Sequence, residues 1–259
     1  MLYVNYMNDI KRYFDNNTGR LIHKWEHYFE IYDRHFNAYR NKEIVILEIG
    51  VFQGGSLQMW KNYFGPKAKI YGIDIDPECK KYEEENIEII IGSQSDRNFL
   101  KKLRAQIPPI DILIDDGGHT MNQLRTSFDE LYSHVKADGI YALEDLHTCY
   151  KIDYGGGYKR PGSFIEYSKN FIDDLHAWHS KSLKINSFTK SIYSLHFYDS
   201  ILIIQKRLMK EPVSLSSGTK IGDPLAKWKR SPLEIVIRKI GRIVNTILNA
   251  LRLPSIPKI

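Results

Sequence analysis

The run Asp111-Ile112-Leu113-Ile114-Asp115-Asp116-Gly117-Gly118-His119 limits what this chain can fold into more than any other stretch. A short apolar run bounded by turn residues suits a central strand of a parallel sheet, buried on both faces. In open α/β sheets a ligand sits just past the carboxyl ends of the strands. Asp115, Asp116 and His119 are therefore expected at the mouth of a site.

The flanking sequence supplies the rest of such a sheet. Ile44 to Ile49 reads as a strand interrupted only by Glu48, and a turn from Gly50 to Ser56 leads into a helix from Leu57. The turn is spaced Gly-x-x-x-Gly-Gly, so the dinucleotide fingerprint Gly-x-Gly-x-x-Gly is absent. A looser turn carrying Gly50, Gly54 and Ser56 still lets the backbone approach a bulky ligand. With no pyrophosphate to grip, a cofactor with a cationic sulfonium and an amino-acid moiety fits. A second strand, Lys69 to Ile73, ends in Asp74-Ile75-Asp76. Asp74 is placed to take ribose hydroxyls, and Asp76, before Pro77, is placed to cap the next helix. A third strand, Ile87 to Ile91, opens into a polar loop with Gln94 and Asp96. That loop suits an adenine, and Asp96 suits equally the cap of a helix from Arg97 to Gln106.

Beyond His119 the pattern predicts a helix from Met121 to Val135, a turn at Lys136–Gly139 and a fifth strand, Ile140 to Leu143, ending in Glu144-Asp145. A helix from Ser163 to Trp178 and a hairpin of Ile192–Phe197 with Ser200–Lys206 follow. The fold class is α/β: a Rossmann-like, doubly wound, mostly parallel sheet with an antiparallel C-terminal edge hairpin. Residues 1–40 read as a helical segment with an apolar face of Ile22, Trp25, Tyr28, Phe29, Tyr32 and Phe36. The expected organisation is this segment, a domain over 41–209, and a tail over 210–259.

Charge separates the tail from the rest. Residues 206–259 hold 12 Lys/Arg against 3 Asp/Glu, whereas residues 1–205 hold 25 against 28. A mildly acidic body argues against a nucleic-acid-binding core, leaving polyanion binding to the tail. Leu233, Val236, Ile237, Ile240, Ile243, Val244, Ile247, Leu248 and Leu251 keep helical period, with Lys227, Lys229 and Arg230 before them. Residues 227–252 thus form a basic amphipathic helix that suits an anionic membrane surface or a glycan-assembly partner, or packs back on the domain. Two cysteines give neither a disulfide framework nor metal-ligand spacing and fit a reducing compartment. No signal peptide is read in Met1–Phe14, and no apolar run is long enough to span a bilayer. The expected location is cytoplasmic, with a peripheral position at the inner face of the membrane as the tail's contribution. A homo-oligomer is left open.

Two strand ends carry paired acids. If the fourth and fifth strands are neighbours, about 5 Å apart, then Asp116, Glu144 and Asp145 converge. Crowded carboxylates call for a cation, and all-oxygen ligation suits Mg²⁺, with Mn²⁺ or Ca²⁺ as alternatives. His119 is the natural base beside it. The plain alternative is that the acids cap helices and His119 is a turn residue.

Three motifs resemble one family: Leu47 to Ser56, Asp115-Asp116-Gly117-Gly118-His119 and Glu144-Asp145-Leu146-His147-Thr148. They are similar to class I S-adenosylmethionine-dependent methyltransferases. Within these, they resemble the metal-dependent, mycinamicin-type macrolide-sugar O-methyltransferases and their cephalosporin hydroxylase-like relatives. Lys24-Trp25-Glu26-His27-Tyr28-Phe29 resembles that group's N-terminal helix, and the likeness runs from Leu21 to Lys206. The resemblance implies Asp116, Glu144 and Asp145 as Mg²⁺ ligands and His119 as the general base. Glu48 and Gly50 would lie at the methionine end of S-adenosylmethionine, Asp74 on its ribose, and Gln94 and Asp96 near its adenine. Asp115 falls to the cofactor side or to loop support. His147, Tyr150 and Tyr154 would shape the acceptor pocket. The expected activity is methyl transfer to a sugar hydroxyl of a glycan or glycosylated product, such as a surface polysaccharide. The rivals are a catechol-like or antibiotic-type acceptor, and a non-catalytic scaffold in glycan assembly.

Overall fold

A computed structural model describes residues 8–219 and 231–255. The chain divides into two compact units, Met1–Pro212 and Val213–Ile259. The first is built on seven strands: β1 (Ile44–Ile49), β2 (Ala68–Asp74), β3 (Ile87–Ile91), β4 (Ile110–Asp115), β5 (Val135–Leu143), β6 (Ile192–Phe197) and β7 (Leu202–Lys206). They form one sheet in the order β3-β2-β1-β4-β5-β7-β6. The first five are parallel, and β7 runs antiparallel to both β5 and β6. The order reverses between β1 and β4, and such a switch point opens a crevice at the strands' carboxyl ends.

Helices cover both faces: α1 (Asp9–Asp15), α2 (Tyr28–Phe36), α3 (Gly55–Phe64), α4 (Arg97–Gln106), α5 (Met121–Leu131), α6 (Phe164–Ser168) and α7 (Asn170–His176). Strand side chains alternate between faces, so each central strand feeds two cores. Ile44 and Ile46, Ile112 and Ile114, and Ile140 and Ala142 pack with Tyr32, Phe36, Trp60 and Phe64 of α2 and α3. Leu47 and Ile49, Leu113, and Tyr141 and Leu143 pack with Leu100, Leu124, Phe128 and Phe171 of the opposite layer. A central strand buried on both faces has to be a continuous apolar run.

Several elements differ from the sequence expectation. The helical reading of residues 1–40 reduces to α1, α2 and a 3-10 turn at Asn37–Tyr39, with residues 17–25 irregular; residues 1–7 lie outside the described residues. Asn16-Asn17-Thr18-Gly19 breaks the period with residues that favour turns. β5 begins at Val135 rather than Ile140: the supposed turn at Lys136–Gly139 stays in the strand, with a register shift opposite Ile110 and Ile112. The preceding helix therefore ends at Leu131, followed by a 3-10 turn at Tyr132–His134. The helix expected over 163–178 is interrupted at Lys169, giving α6, α7 and a 3-10 turn.

In the second unit α8 (Pro232–Ala250) is opened by a capping box: Ser231 Oγ accepts from Glu234 N, and the Glu234 carboxylate accepts from Ser231 N. Among the described residues no helix is long and apolar enough to cross a membrane. Lys227, Lys229 and Arg230 of the expected basic stretch lie outside the described residues.

Candidate active site

Register and alternation assemble the site. Ile49, Asp115 and Leu143 sit side by side on β1, β4 and β5, so Asp116 and Glu144 occupy the next row. Glu48, Asp116 and Glu144 continue the face of Ile46, Ile114 and Ala142, and all three meet the side chain of Lys24. The Lys24 ammonium lies 2.5 Å from Asp116, 2.9 Å from Glu144 and 3.6 Å from Glu48, and its side chain is 2% exposed. Burial alone would lower this lysine, but the three carboxylates hold it well above its ordinary value.

Glu144 is 1% exposed and accepts from Tyr32 at 2.6 Å. Burial first, and the adjacent Asp116 charge second, push it up, while Lys24 and Tyr32 draw it back. Glu48 is buried and accepts from Ser56 at 2.8 Å and Trp60 at 3.2 Å. Asp115, on the other face, is enclosed by Ser127, Gln94 and Tyr141. Burial raises its carboxyl to about 6 against those hydrogen bonds.

Asp145 and His119 form a second focus. His119 Nε2 lies 3.6 Å from Asp116 Oδ1 and 3.7 Å from Asp145 Oδ2. One ligand atom from each of the three residues falls within 4.8 Å of the others. The two carboxylates of this cluster fit a divalent cation, with the imidazole beside them. His119 Nδ1 is buried with no hydrogen-bond partner. His119 (φ 56°) and Asp145 (φ 55°) both occupy the left-handed region, which costs a non-glycine residue about 1–3 kcal/mol and is characteristic of functional loops. Trp25 Nε1 and Tyr28 Oη, each 3.0 Å from Asp145 Oδ1, hold that carboxylate in place.

Beside both foci lies a cavity of about 380 Å³ at the carboxyl ends of β1, β2 and β4, large enough for a nucleoside-sized ligand. Its floor includes Gly50, Ser56, Asp74, Gln94 and Asp116, and Leu21, Ile22, His23 and Lys24 line it from the N-terminal side. Asp74 accepts from Val51, Phe52 and Asp76 backbone N–H groups. Burial would raise it, but those donors outweigh burial and lower it. At Gly50 (φ 96°) a Cβ would fall 2.1 Å from the Asp116 carbonyl, so only glycine lets the first turn meet the acidic loop.

The sequence-expected residues therefore divide. Gly50, Ser56, Asp74, Gln94 and Asp116 line the cavity; Asp115, Glu48 and Gly54 do not. Gly54 (φ 72°) opens α3 against Tyr82. Asp76 caps the 3-10 turn Pro77–Tyr82. Asp96 caps α4, accepting from Asn98 N and Phe99 N, and does not line the cavity. Asp116, Glu144 and Asp145 do not meet at one point: Asp116 is shared between Lys24 with Glu144 and His119 with Asp145. His147 and Tyr150 lie on the 3-10 turn Leu146–Tyr150, and Tyr154 closes the next. Thr148 Oγ1 donates to the His119 carbonyl at 3.2 Å, bringing that turn beside His119. His147 contacts Trp25 edge-on at 5.7 Å. Sequence reasoning missed Lys24 and Tyr32. The signal was available, since period-two alternation puts Glu48, Asp116 and Glu144 on one face, where a buried counter-charge is required.

No family model matches the chain. It is 36% identical over 196 residues to demethylmacrocin O-methyltransferase of Streptomyces fradiae, covering 70% of this chain and 48% of that protein. It is 36% identical over 209 residues to mycinamicin VI 2''-O-methyltransferase of Micromonospora griseorubida, covering 75% and 51%. A tetracenomycin-rhamnosyl 3'-O-methyltransferase of Streptomyces olivaceus matches at 33% over 195 residues, covering 70% and 50%. The MycE methyltransferase structure with Mg, SAH and mycinamycin VI superposes with a TM-score of 0.68 at 34% identity, covering 79% of this chain and 55% of that one. The chain spans about half the length of these relatives. The expected Rossmann-like sheet with an antiparallel edge is thus present, and the chain is a homologue of the demethylmacrocin, mycinamicin VI and rhamnosyl-tetracenomycin O-methyltransferases on a class I methyltransferase fold.

Proposed function

We propose that the chain is a metal-dependent O-methyltransferase that moves the methyl group of S-adenosylmethionine to a sugar hydroxyl. The observation that carries the reading is the Asp116–His119–Asp145 cluster beside a cavity at the switch point of the sheet. The relatives support the acceptor class, since two are named for the 3'- and 2'-positions of rhamnosyl tetracenomycin-C and one for L-olivosyl-oleandolide, all sugar-bearing acceptors.

Bound in the cavity, the cofactor supplies an electrophilic methyl group, and a divalent cation supplies Lewis acidity toward a hydroxyl oxygen. Asp116 and Asp145 would hold that cation, with Mg²⁺ the first choice for carboxylate oxygen donors. His119 Nε2, within 3.7 Å of both carboxylates, is positioned to accept the hydroxyl proton. Asp74, ionised by its backbone donors, would take the ribose hydroxyls, and Gln94 would meet the base. Gln94 also joins two loops, donating to Asp115 at 3.0 Å and accepting from Gly118 N at 2.7 Å. The turn carrying His147 and Tyr150 would form the acceptor side. Much of the rate enhancement would be positioning.

Replacing His119 by Ala should lower methyl transfer about 10²- to 10⁴-fold while S-adenosylhomocysteine still binds by calorimetry. Chelation of divalent metal should abolish transfer in the unmodified chain. Full turnover after either treatment would sink the mechanism. A screen of glycans, glycosylated small molecules and phenols, with and without Mg²⁺, identifies the acceptor. The basic tail supports a position at an anionic membrane surface, where lipid-linked or surface glycans are assembled.

A further inference from the structure

A buried ammonium beside a proposed cation site is unexpected, because Lys24 and a divalent ion both draw on Asp116. Three carboxylates, Glu48, Asp116 and Glu144, face one Lys24. Asp116 also belongs to the cluster with His119 and Asp145.

Lys24 has a second role through the chain that carries it. Residues 17–25 have no regular structure, and Leu21 to Lys24 line the cofactor cavity. The segment is fastened by side chains. At its outer end Arg20 donates to the Tyr82 carbonyl at 2.9 Å and pairs with Glu84 at 3.4 Å. In the middle Ile22 is buried, and at the inner end stands Lys24. The backbone carbonyls of Arg20 and Leu21 press on Gly55, where a Cβ would fall within 2.6 Å of either oxygen. The strap therefore rides directly on the N-terminus of α3, with Lys24 as its inner fastening.

We propose that Lys24 is a latch with two opposed effects: its ion pairs with Asp116 and Glu144 hold the strap Leu21–Lys24 against bound cofactor, and the same positive charge opposes binding of the divalent cation. This rests on the reading of the cavity as a cofactor site and of Asp116 as a cation ligand. It makes Lys24 a positioning residue, separate from the proton transfer assigned to His119. The two effects have opposite signs, which a general loss of structure would not produce.

The test is calorimetric, on the full chain, with S-adenosylhomocysteine and Mg²⁺ as separate probes. Lys24→Met should weaken S-adenosylhomocysteine about ten-fold and tighten Mg²⁺ at least about three-fold, as expected when one charge is removed from a buried cluster. Unchanged cofactor affinity, or Mg²⁺ affinity that is unchanged or weaker, overturns the latch. Lys24→Arg covers the case in which the methionine variant does not fold. It keeps the charge, so Mg²⁺ affinity should stay within about three-fold of the parent, and a larger change in either direction overturns the proposal. If the unmodified chain binds neither probe, the functional reading fails; if it binds both and Lys24→Met shifts neither, only the latch fails.

Discussion

At the end of β3, Asp96 takes two backbone hydrogen bonds at the start of α4, from Asn98 N at 2.8 Å and Phe99 N at 3.2 Å. That is the work of a helix cap, and truncating such a cap costs about 1 kcal/mol. Asp96→Ala should lower stability by about that amount in urea unfolding while S-adenosylhomocysteine affinity stays within about two-fold. A ten-fold loss of affinity would instead make Asp96 a cofactor contact. The same scale shows what could be read in advance. Acids at strand ends were visible as a set, but adjacent residues there face opposite ways. Asp115 turns to Ser127 and Tyr141, whereas Asp116 turns to Lys24. Asp145 leaves Glu144 through a left-handed backbone that composition does not reveal. The acids sharing one face called for a buried counter-charge, but nothing local picked out Lys24, 92 residues from Asp116, as the residue that supplies it.

The element that carries Tyr28 and Tyr32 to the acids is α2, and its other face is held to the sheet edge by a polar network. His35, 6% exposed, lies within hydrogen-bond distance of Tyr198 Oη through Nε2 (2.9 Å) and of Gln205 Nε2 through Nδ1 (3.2 Å). The ring of His196 is 4.6 Å away. Burial first, then His196 and Arg34, lower His35 to about 4. The sign follows from linkage: the unfolded chain takes up this proton near pH 6.5 and the folded chain near pH 4. Stability is thus fully present above about pH 6.5 and falls as pH drops toward 4. After discounting for solvent screening, about 1 kcal/mol should be lost between pH 7 and pH 5. Because Asp115 and Glu144, both raised by burial, titrate in the opposite sense, the share is read as a difference: from pH 7 to pH 5 the parent should change less favourably in urea unfolding than His35→Gln, which keeps hydrogen-bonding capacity without the titration. An identical pH difference in both proteins would remove His35 as its source. The apolar runs made the strands of the sheet legible and their parallel pairing with them. The break at Lys169 was not, because long-range packing rather than local propensity decides where a short helix stops, whereas the break after α1 was written locally in Asn16 to Gly19.

For the whole molecule, the open matter is what the second unit adds. All seven strands, both cores and the proposed site belong to residues before Pro212, so fold and cofactor binding should not depend on the rest. The tail has its own device: a 19-residue helix with a capping box, Pro232 in its first turn and an apolar stripe from Leu233 to Leu251. With 12 basic against 3 acidic residues from 206 onward, an anionic lipid surface matches both its charge and its apolar face. The full chain should therefore sediment with vesicles containing acidic phospholipid and release as salt rises to about 0.5 M, where the Debye length shrinks to a few ångströms. A chain ending at Pro212 should lose that association while its unfolding midpoint stays within about 2 °C, equivalent to about 0.5–1 kcal/mol. If the truncated chain sediments as before, the tail is not the anchor. If it instead unfolds markedly earlier, the apolar stripe serves the domain's own packing, and the membrane reading gives way to that one.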